Sequence, residues 1–206
     1  DYVKAEVNGE NWIMSKDAVI KFKEQKKKIK VIEEFKGSKL IGKNCKVPLS
    51  DRIVPILPAE FVDPKNATGI VMSVPSHAPY DWLGLIDLKK NPSILKKFNI
   101  PLEVVENIKP ISLIETPGLS EHPGIEFVEK LKVKDQNDPK AEEATKLVYK
   151  KEFHQGVLKE NTGKYAGIPV RDIKEKLTKD LINLGVADVL WETADKVICR
   201  CNTQCI

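Results

Sequence analysis

The chain has 206 residues, of which 41% are hydrophobic and 31% charged, with 34 Lys and Arg against 30 Asp and Glu. This length allows one globular domain or two small ones, and the hydrophobic segments that recur between the charges exclude general disorder. The net charge of +4 permits an acidic partner without requiring one, and no apolar run approaches the roughly 18 residues of a membrane span, so we expect a soluble protein with no membrane partner.

The N-terminal segment predicts a β-hairpin followed by a short helix. Asn8-Gly9 lies between two runs of alternating apolar residues, which is the strongest short hairpin signal. Ser15 precedes an apolar-periodic stretch and is expected to cap a helix that ends in the lysine-rich run 21–28. We interpret the lysines as the solvated end of this helix, and nucleic-acid contact is the less favoured alternative.

Five further short segments have strand character. Three of them, 29–35, 52–57 and 69–74, are rich in Val and Ile and are separated by Gly, Pro, Asn and Asp. Two others, 189–191 and 197–199, lie near the C-terminus. We therefore expect the last segments to rejoin the sheet that the N-terminal strands begin.

Between these groups of strands the apolar period becomes helical. Segments 123–131, 139–153 and 169–184 have Pro near each start, and two of them have Gly just past the end. In the third segment the apolar residues follow one another at steps of three and four, which predicts core packing rather than a ligand groove. These stripe residues are Val170, Ile173, Leu177, Leu181 and Leu184.

This order of elements predicts one α+β domain over residues 1–206. Its sheet is expected to be barrel-like and to come from about 1–118 and 189–206, with a helix-rich insertion at about 119–188. The sequence begins at Asp1 without Met, inside a predicted strand, and we interpret it as a domain cut from a longer polypeptide. We expect the three long helices to serve as scaffold or as contacts to a large ligand, outside any substrate pocket.

The candidate functional segment runs from the predicted strand at 69–74 through two prolines into a helix predicted to start near Pro79. Asp81 falls in the first turn of this helix, where the helix dipole alone would stabilise a carboxylate. His77, four residues earlier, would by itself most often be a surface or hydrogen-bonded histidine. Loops between a strand and a helix nevertheless concentrate functional side chains, because a rigid scaffold aims them.

Residues 68–81 read Thr-Gly-Ile-Val-Met-Ser-Val-Pro-Ser-His-Ala-Pro-Tyr-Asp, which resembles the signature of the editing domain of class I aminoacyl-tRNA synthetases for leucine, isoleucine and valine. Met72 and the five residues after it are most similar to the leucine type, whereas the isoleucine enzymes tend to show H-x-A-P and the valine enzymes K-x-T-P. The similarity extends over nearly the whole chain and is to the archaeal and eukaryotic type. It continues in segments 57–62, 132–138, 149–156 and 197–201.

This resemblance implies a β-barrel with helical insertions that hydrolyses the ester of mischarged tRNA. A synthetic site separates side chains differing by one methylene by only about 1–3 kcal/mol, so a second, hydrolytic sieve is needed. The expected substrates are tRNA(Leu) carrying isoleucine, methionine or norvaline, presented by the rest of a cytoplasmic synthetase chain. No cofactor is expected for editing, since ATP and Mg belong to the synthetic domain. The alternatives are an isoleucyl or valyl editing domain, or a tRNA-binding module that no longer hydrolyses.

The resemblance also implies roles for individual residues. Asp81 matches the family aspartate, the catalytic-site residue expected to hold the α-ammonium of the misattached amino acid. It is not expected to act as a general base, because a carboxylate that neutralises an ammonium is poorly placed to take a proton from water. The other matched positions are Met72 and Val74, which would line the amino-acid pocket, and Ser73, Pro75 and His77, which would lie around the terminal adenosine and the ester.

One part of the family pattern does not occur in this sequence. The family has a threonine-rich segment, T-x-R-P-[ED]-T in character, upstream of the region that this chain covers, and its threonines help to bind the ester and to exclude the cognate amino acid. Without them the chain carries half of the expected pocket. We therefore expect it to fold but to catalyse poorly.

The cysteines offer a competing signal for zinc. Cys199, Cys201 and Cys205 form C-x-C-x3-C, with Cys45 as a distant fourth. Structural zinc sites prefer pairs spaced C-x2-4-C, so we expect no metal site and keep a zinc-dependent interaction domain as a third hypothesis. Four cysteines in a chain of this length do not form a disulfide scaffold, which favours a reduced, intracellular setting.

Overall fold

The computed structural model describes residues 1–193 and 197–202, and the chain folds into two compact units. Each unit draws on separate stretches of the sequence. The first unit comprises Asp1–Ile41, Val62–Val71 and Asp188–Ile206, and the second comprises Gly42–Phe61 and Met72–Ala187.

The first unit is built on a three-stranded antiparallel sheet. Its strands β1 (Tyr2–Val7), β2 (Glu10–Ser15) and β3 (Ile29–Phe35) lie in the order β2-β1-β3. The predicted hairpin is confirmed: Asn8 and Gly9 have φ angles of 52° and 87°, and positive φ at both positions is what the tight I′ turn requires.

Helix α1 (Lys16–Glu24) follows β2 directly, and its predicted cap is confirmed. The Ser15 hydroxyl accepts a hydrogen bond from the Ala18 N–H at 3.1 Å, which satisfies one of the donors that a helix start leaves unpaired. The inner face of α1 packs on alternate residues of β1, so that helix and sheet share one hydrophobic core. That core consists of Val3, Ala5, Val7, Met14, Ala18, Val19 and Phe22.

The second unit is mainly helical. Its helices are α2 (Pro79–Lys90), α3 (Pro92–Lys96), α4 (Leu102–Glu106), α5 (Pro123–Lys130), α6 (Lys140–Gln155) and α7 (Val170–Asn183). Two antiparallel two-stranded sheets accompany them, formed by β4 (Asn44–Lys46) with β5 (Ile53–Pro55) and by β6 (Ile114–Glu115) with β7 (Val157–Leu158). The three long helices predicted after residue 120 are therefore confirmed, with ends within two residues of the prediction.

Helices α2, α5 and α6 form the core of the second unit. Leu83 of α2 is buried with Val128 of α5 and with Ala141 and Ala144 of α6. Two alanines one turn apart on α6 leave room for the neighbouring helices to approach closely. This packing places the segment just before α2 beside α6.

Two of the predicted strands are wrong. Residues 69–74 form no strand, because residues 66–69 make a turn in which Gly69 has a φ of 70° and its N–H bonds the Asn66 carbonyl. Residues 189–191 are also irregular: the backbone of Trp191 bonds both polar atoms of the Gln25 side chain instead of a neighbouring strand. In 197–199 only Ile198 takes part in a single bridge.

The mixed helix and strand composition expected from the sequence is confirmed, but its sheet is smaller than expected. The strands within 1–193 and 197–202 belong to three separate sheets and do not close into a barrel. Of the helices in this part of the chain, none combines the length and the apolar surface that crossing a bilayer requires.

The apolar stripe of α7 lies on one helix face, and the prediction that it is core packing is confirmed only in part. Its members within the helix, Val170, Ile173, Leu177 and Leu181, are half-buried and none is fully buried, whereas Leu184, just past the end of the helix, is 59% exposed. The period of a helix shows which face turns inward, whereas the degree of burial depends on how much of the chain covers that face.

Candidate functional site

The segment before α2 makes a tight turn that ends at the helix start. The Val74 carbonyl accepts hydrogen bonds from the N–H groups of His77 and Ala78, each at 3.0 Å. Pro79 occupies the first helical position, where a missing N–H costs nothing. The helix therefore begins where the sequence predicted, with Asp81 in its first turn.

Asp81 is a nearly buried carboxylate with one protein donor. It is 6% exposed, and its Oδ2 accepts a hydrogen bond from the Val74 N–H at 2.5 Å. Burial raises the pKa of Asp81, and the Val74 hydrogen bond offsets only part of that effect. Within the described residues no other group donates to this carboxylate, so its second oxygen is available to a cationic ligand.

His77 is held inside the protein through both ring nitrogens. The Leu113 N–H donates to Nε2 at 2.8 Å, so Nε2 carries no proton in this arrangement. The proton therefore lies on Nδ1, which donates to Oε1 of Glu152 on α6 at 2.6 Å. The ring is 5% exposed, and its position fixes the turn between Val74 and Ala78 against α6.

The start of α5 holds the same turn from another side. Ser76 is fully buried, its Oγ lies 2.9 Å from Nδ1 of His122, and its carbonyl accepts the Gly124 N–H at 2.9 Å. A Cβ on Gly124 would lie 3.1 Å from backbone atoms of Ser76, His77 and Ala78. The absence of a side chain at Gly124 therefore lets α5 approach the turn this closely without crowding its backbone.

The remaining residues of the sequence-predicted site are more accessible. Met72 is 64% exposed, Ser73 is exposed, and Val74 and Pro75 are half-buried. Val74 is joined to Asp81 by its N–H and to His77 by its carbonyl. The turn thus combines a buried anion with accessible apolar side chains, which is chemistry suited to a ligand that carries an ammonium group beside an aliphatic one.

Two residues near this turn were missed by the sequence analysis, which placed the three long helices, α6 among them, outside any substrate pocket. Glu152 is 4% exposed and bonds His77, while Tyr149 is half exposed and has a pKa raised by burial and by the charges of Asp81 and Glu152. A sequence signal for Glu152 existed. It continues the buried stripe of Ala141, Ala144 and Val148 at helical spacing, and a carboxylate in such a position needs a partner.

The cysteine signal gains no support from the described residues. Within them there is no group of three or more His, Cys, Asp or Glu side chains that could hold a metal ion. Cys45, Cys199 and Cys201 are exposed, and Cys205 lies outside the described residues.

Sequence comparison relates the chain to one group of enzymes. A family model described as "Leucyl-tRNA synthetase, editing domain" matches residues 10–105. The leucine–tRNA ligase of Archaeoglobus fulgidus is 48% identical over 207 residues, covering 100% of this chain and 22% of that protein. The leucine–tRNA ligase of Methanothrix thermoacetophila is 52% identical over 203 residues, covering 98% of this chain and 21% of that protein. The chain thus spans about a fifth of the length of these curated relatives.

Solved structures give the same relationship at the level of fold. A structure described as GlLeuRS-CP1 superposes with a TM-score of 0.81 at 27% identity, covering 93% of this chain and 74% of that one. The editing domain of the P. knowlesi cytosolic leucyl-tRNA synthetase superposes with a TM-score of 0.83 at 18% identity, covering 93% of this chain and 76% of that one. The second likeness concerns the fold alone.

Proposed function

This chain belongs to the editing-domain family of leucyl-tRNA synthetases, and on that premise we propose that it hydrolyses the ester of tRNA(Leu) mischarged with isoleucine, methionine or norvaline. The reaction is the second sieve that a synthetic site of limited selectivity needs. The proposed setting is a cytoplasmic synthetase of the archaeal and eukaryotic type, in which the rest of the chain delivers the tRNA 3′ end.

The observation that carries this proposal is the state of Asp81. A desolvated carboxylate with a single backbone donor has a strong preference for a cation, and the α-ammonium of an aminoacyl ester is such a cation. Such a charge-assisted contact contributes about 1.5–3 kcal/mol and orients the neighbouring ester carbonyl. The attacking water is then oriented by backbone groups and by the free ribose hydroxyl rather than by Asp81.

The remaining matched residues take the roles implied by the family pattern. Met72 and Val74 line the amino-acid side of the pocket, and Ser73 and Pro75 lie toward the adenosine and the ester. His77 contributes through the turn that it anchors, since both of its ring nitrogens have protein partners. We also propose that the chain is a single editing domain with a barrel-like sheet. Editing is proposed to need no cofactor. ATP and Mg would serve only the synthetic domain.

Two alternative functions can be distinguished from the proposed one by a deacylation assay. One alternative is a module of the same fold that binds tRNA without hydrolysing it, and the other is an isoleucyl or valyl editing domain, since the signature is shared with those enzymes. The test measures ester loss from isoleucyl-, methionyl-, norvalyl- and leucyl-tRNA(Leu), with valyl-tRNA(Ile) and threonyl-tRNA(Val) for comparison. The proposal requires hydrolysis of the three mischarged tRNA(Leu) species and protection of leucyl-tRNA(Leu). It is wrong if the longer synthetase hydrolyses none of the three.

The 206-residue chain should be compared with a form extended upstream through the threonine-rich segment. A misplacement of the ester by about 1 Å can lower a rate roughly 100-fold, so the extended form is expected to be the much faster one. Equal rates would show that the segment is dispensable.

A further inference from the structure

One strip of α6 faces the segment that carries Asp81. Glu142, Tyr149 and Glu152 are neighbours along one side of the helix, because residues three and seven positions apart lie next to each other on a helix surface. Contacts at both ends of the strip establish where it points. The Glu142 carboxylate lies against the Tyr80 hydroxyl, so that burial and this carboxylate together raise the pKa of Tyr80, and Glu152 bonds His77 at 2.6 Å. Tyr149 lies between these two contacts.

The Tyr149 side chain is accessible and uncommitted. It is 50% exposed, and within residues 1–193 and 197–202 its hydroxyl has no hydrogen-bond partner. Because burial and the two carboxylates raise its pKa, the phenol keeps its proton at neutral pH. A neutral aromatic group with an available hydroxyl therefore lies on the face of α6 that contacts the segment ending at Asp81, within the range over which the Asp81 charge acts on it.

We propose that Tyr149 is a further substrate-contacting residue of the deacylation site and that its phenol meets the α-ammonium that Asp81 binds. The hydroxyl oxygen accepts a second ammonium N–H, and the aromatic ring adds a cation–π contact. This inference rests on the proposed function. It adds that α6, rather than only the turn and α2, forms part of the pocket wall.

A neutral partner suits this position better than a second carboxylate would. Asp81 balances the ammonium in charge, the Glu152 carboxylate is already bonded to His77, and a further anion would attract inorganic cations in place of the substrate. A phenol adds contacts without adding charge. It therefore increases the preference for esters with a free α-amino group over esters in which that group is absent or blocked.

The first test measures deacylation of isoleucyl-tRNA(Leu) by the longer synthetase. Tyr149→Ala is expected to lower kcat/KM about tenfold, and Tyr149→Phe, which keeps the ring, about two- to fivefold. The matched control is Phe153→Ala, which removes an aromatic side chain of similar exposure (52%) from the same helix. Thermal unfolding of all three variants should match the parent, because the removed groups are half exposed.

The second test isolates the ammonium. A hydrolysis-resistant 3′-aminoacylamido-3′-deoxyadenosine and its analogue with a hydroxyl in place of the α-amino group are titrated against the parent and Tyr149→Ala. The parent is expected to prefer the amine, and Tyr149→Ala is expected to reduce that preference about tenfold. A structural role would weaken both ligands equally.

The outcomes separate this inference from the proposed function. If the parent neither deacylates nor prefers the amine, the proposed function is wrong. If the parent does both and Tyr149→Ala behaves like Phe153→Ala, the proposed function stands and the role of Tyr149 is wrong.

Discussion

The backbone N–H of Val74 donates to the Asp81 carboxylate at 2.5 Å and so ties the turn to the first turn of the helix that follows it. Asp81 therefore has a structural partner as well as a proposed ligand. Removing its side chain would disturb both, whereas an amide in its place would keep an oxygen for Val74 and lose only the charge.

Asp81→Asn is expected to lower deacylation of mischarged tRNA(Leu) about 10- to 100-fold while leaving leucine activation unchanged. The reason is that a neutral amide cannot balance the ammonium. The measurement is single-turnover ester loss beside leucine-dependent pyrophosphate exchange. Asp172→Asn is the matched control, because Asp172 is an exposed aspartate in the first turn of α7. Parental deacylation by Asp81→Asn would contradict the assigned role.

The raised pKa of Asp81 predicts a pH dependence of stability. In the native protein the Asp81 carboxyl stays protonated at pH values at which the same carboxyl in the unfolded chain, with a pKa of about 3.9, has lost its proton. The contribution of Asp81 to the free energy of unfolding is thus most favourable below that value and falls as pH rises toward the native pKa. As pH rises from the unfolded to the native pKa of Asp81, the free energy of unfolding of Asp81→Asn should therefore increase relative to that of the parent, and the difference should persist at higher pH. Urea unfolding at a series of pH values checks this, and a pH-independent difference would refute it.

Glu152→Ala is expected to destabilise the second unit by about 2–3 kcal/mol, because it leaves the buried Nδ1–H of His77 without a partner. Glu152→Gln should cost less, since its amide oxygen can still accept from Nδ1. Glu143→Ala, at an exposed position of the same helix, is the control. Urea unfolding gives the stabilities. Equal losses for the alanine and glutamine variants would show that the hydrogen bond is not what holds the turn.

Gly124→Ala sets two effects against each other. Alanine favours a helix by about 1 kcal/mol over glycine, but its Cβ would press on three backbone atoms at 3.1 Å, and overpacking costs about 1–3 kcal/mol. Backbone atoms cannot rotate away, so we expect a net loss of stability and slower deacylation through a displaced turn. Glu129→Ala, at an exposed position of α5, is the control for helix propensity. A more stable Gly124→Ala variant would show that α5 can shift freely.

Features with a local chemical cause could be predicted from the sequence. The hairpin at Asn8-Gly9, the Ser15 cap and the helix start at Pro79 each depend on residues within a few positions of one another. The placement of Asp81 in a first helical turn followed from the same local rules. The family resemblance then supplied a role for Asp81 that those rules could not.

Features that depend on distant partners could not be predicted. Segment 69–74 has strand composition, but whether a strand forms depends on a neighbour that composition does not identify, and the turn at Gly69 prevents it. The contact between His77 and Glu152 joins residues 75 positions apart. Tyr149 was overlooked for the same reason, since its importance comes from what packs opposite α6.

The order in which the ribosome makes the chain affects how the first unit folds. Its sheet and α1 come from the first 35 residues, yet the described ion pairs Lys21–Glu192 and Lys27–Asp188 and the packing of Leu190 on the core come from residues made much later. On a ribosome the β1–β2 hairpin and α1 can form early from local contacts and bury most of this core, but the part of the core that Leu190 covers stays open until some 150 more residues have emerged. During that interval the nascent chain exposes this part of its apolar surface.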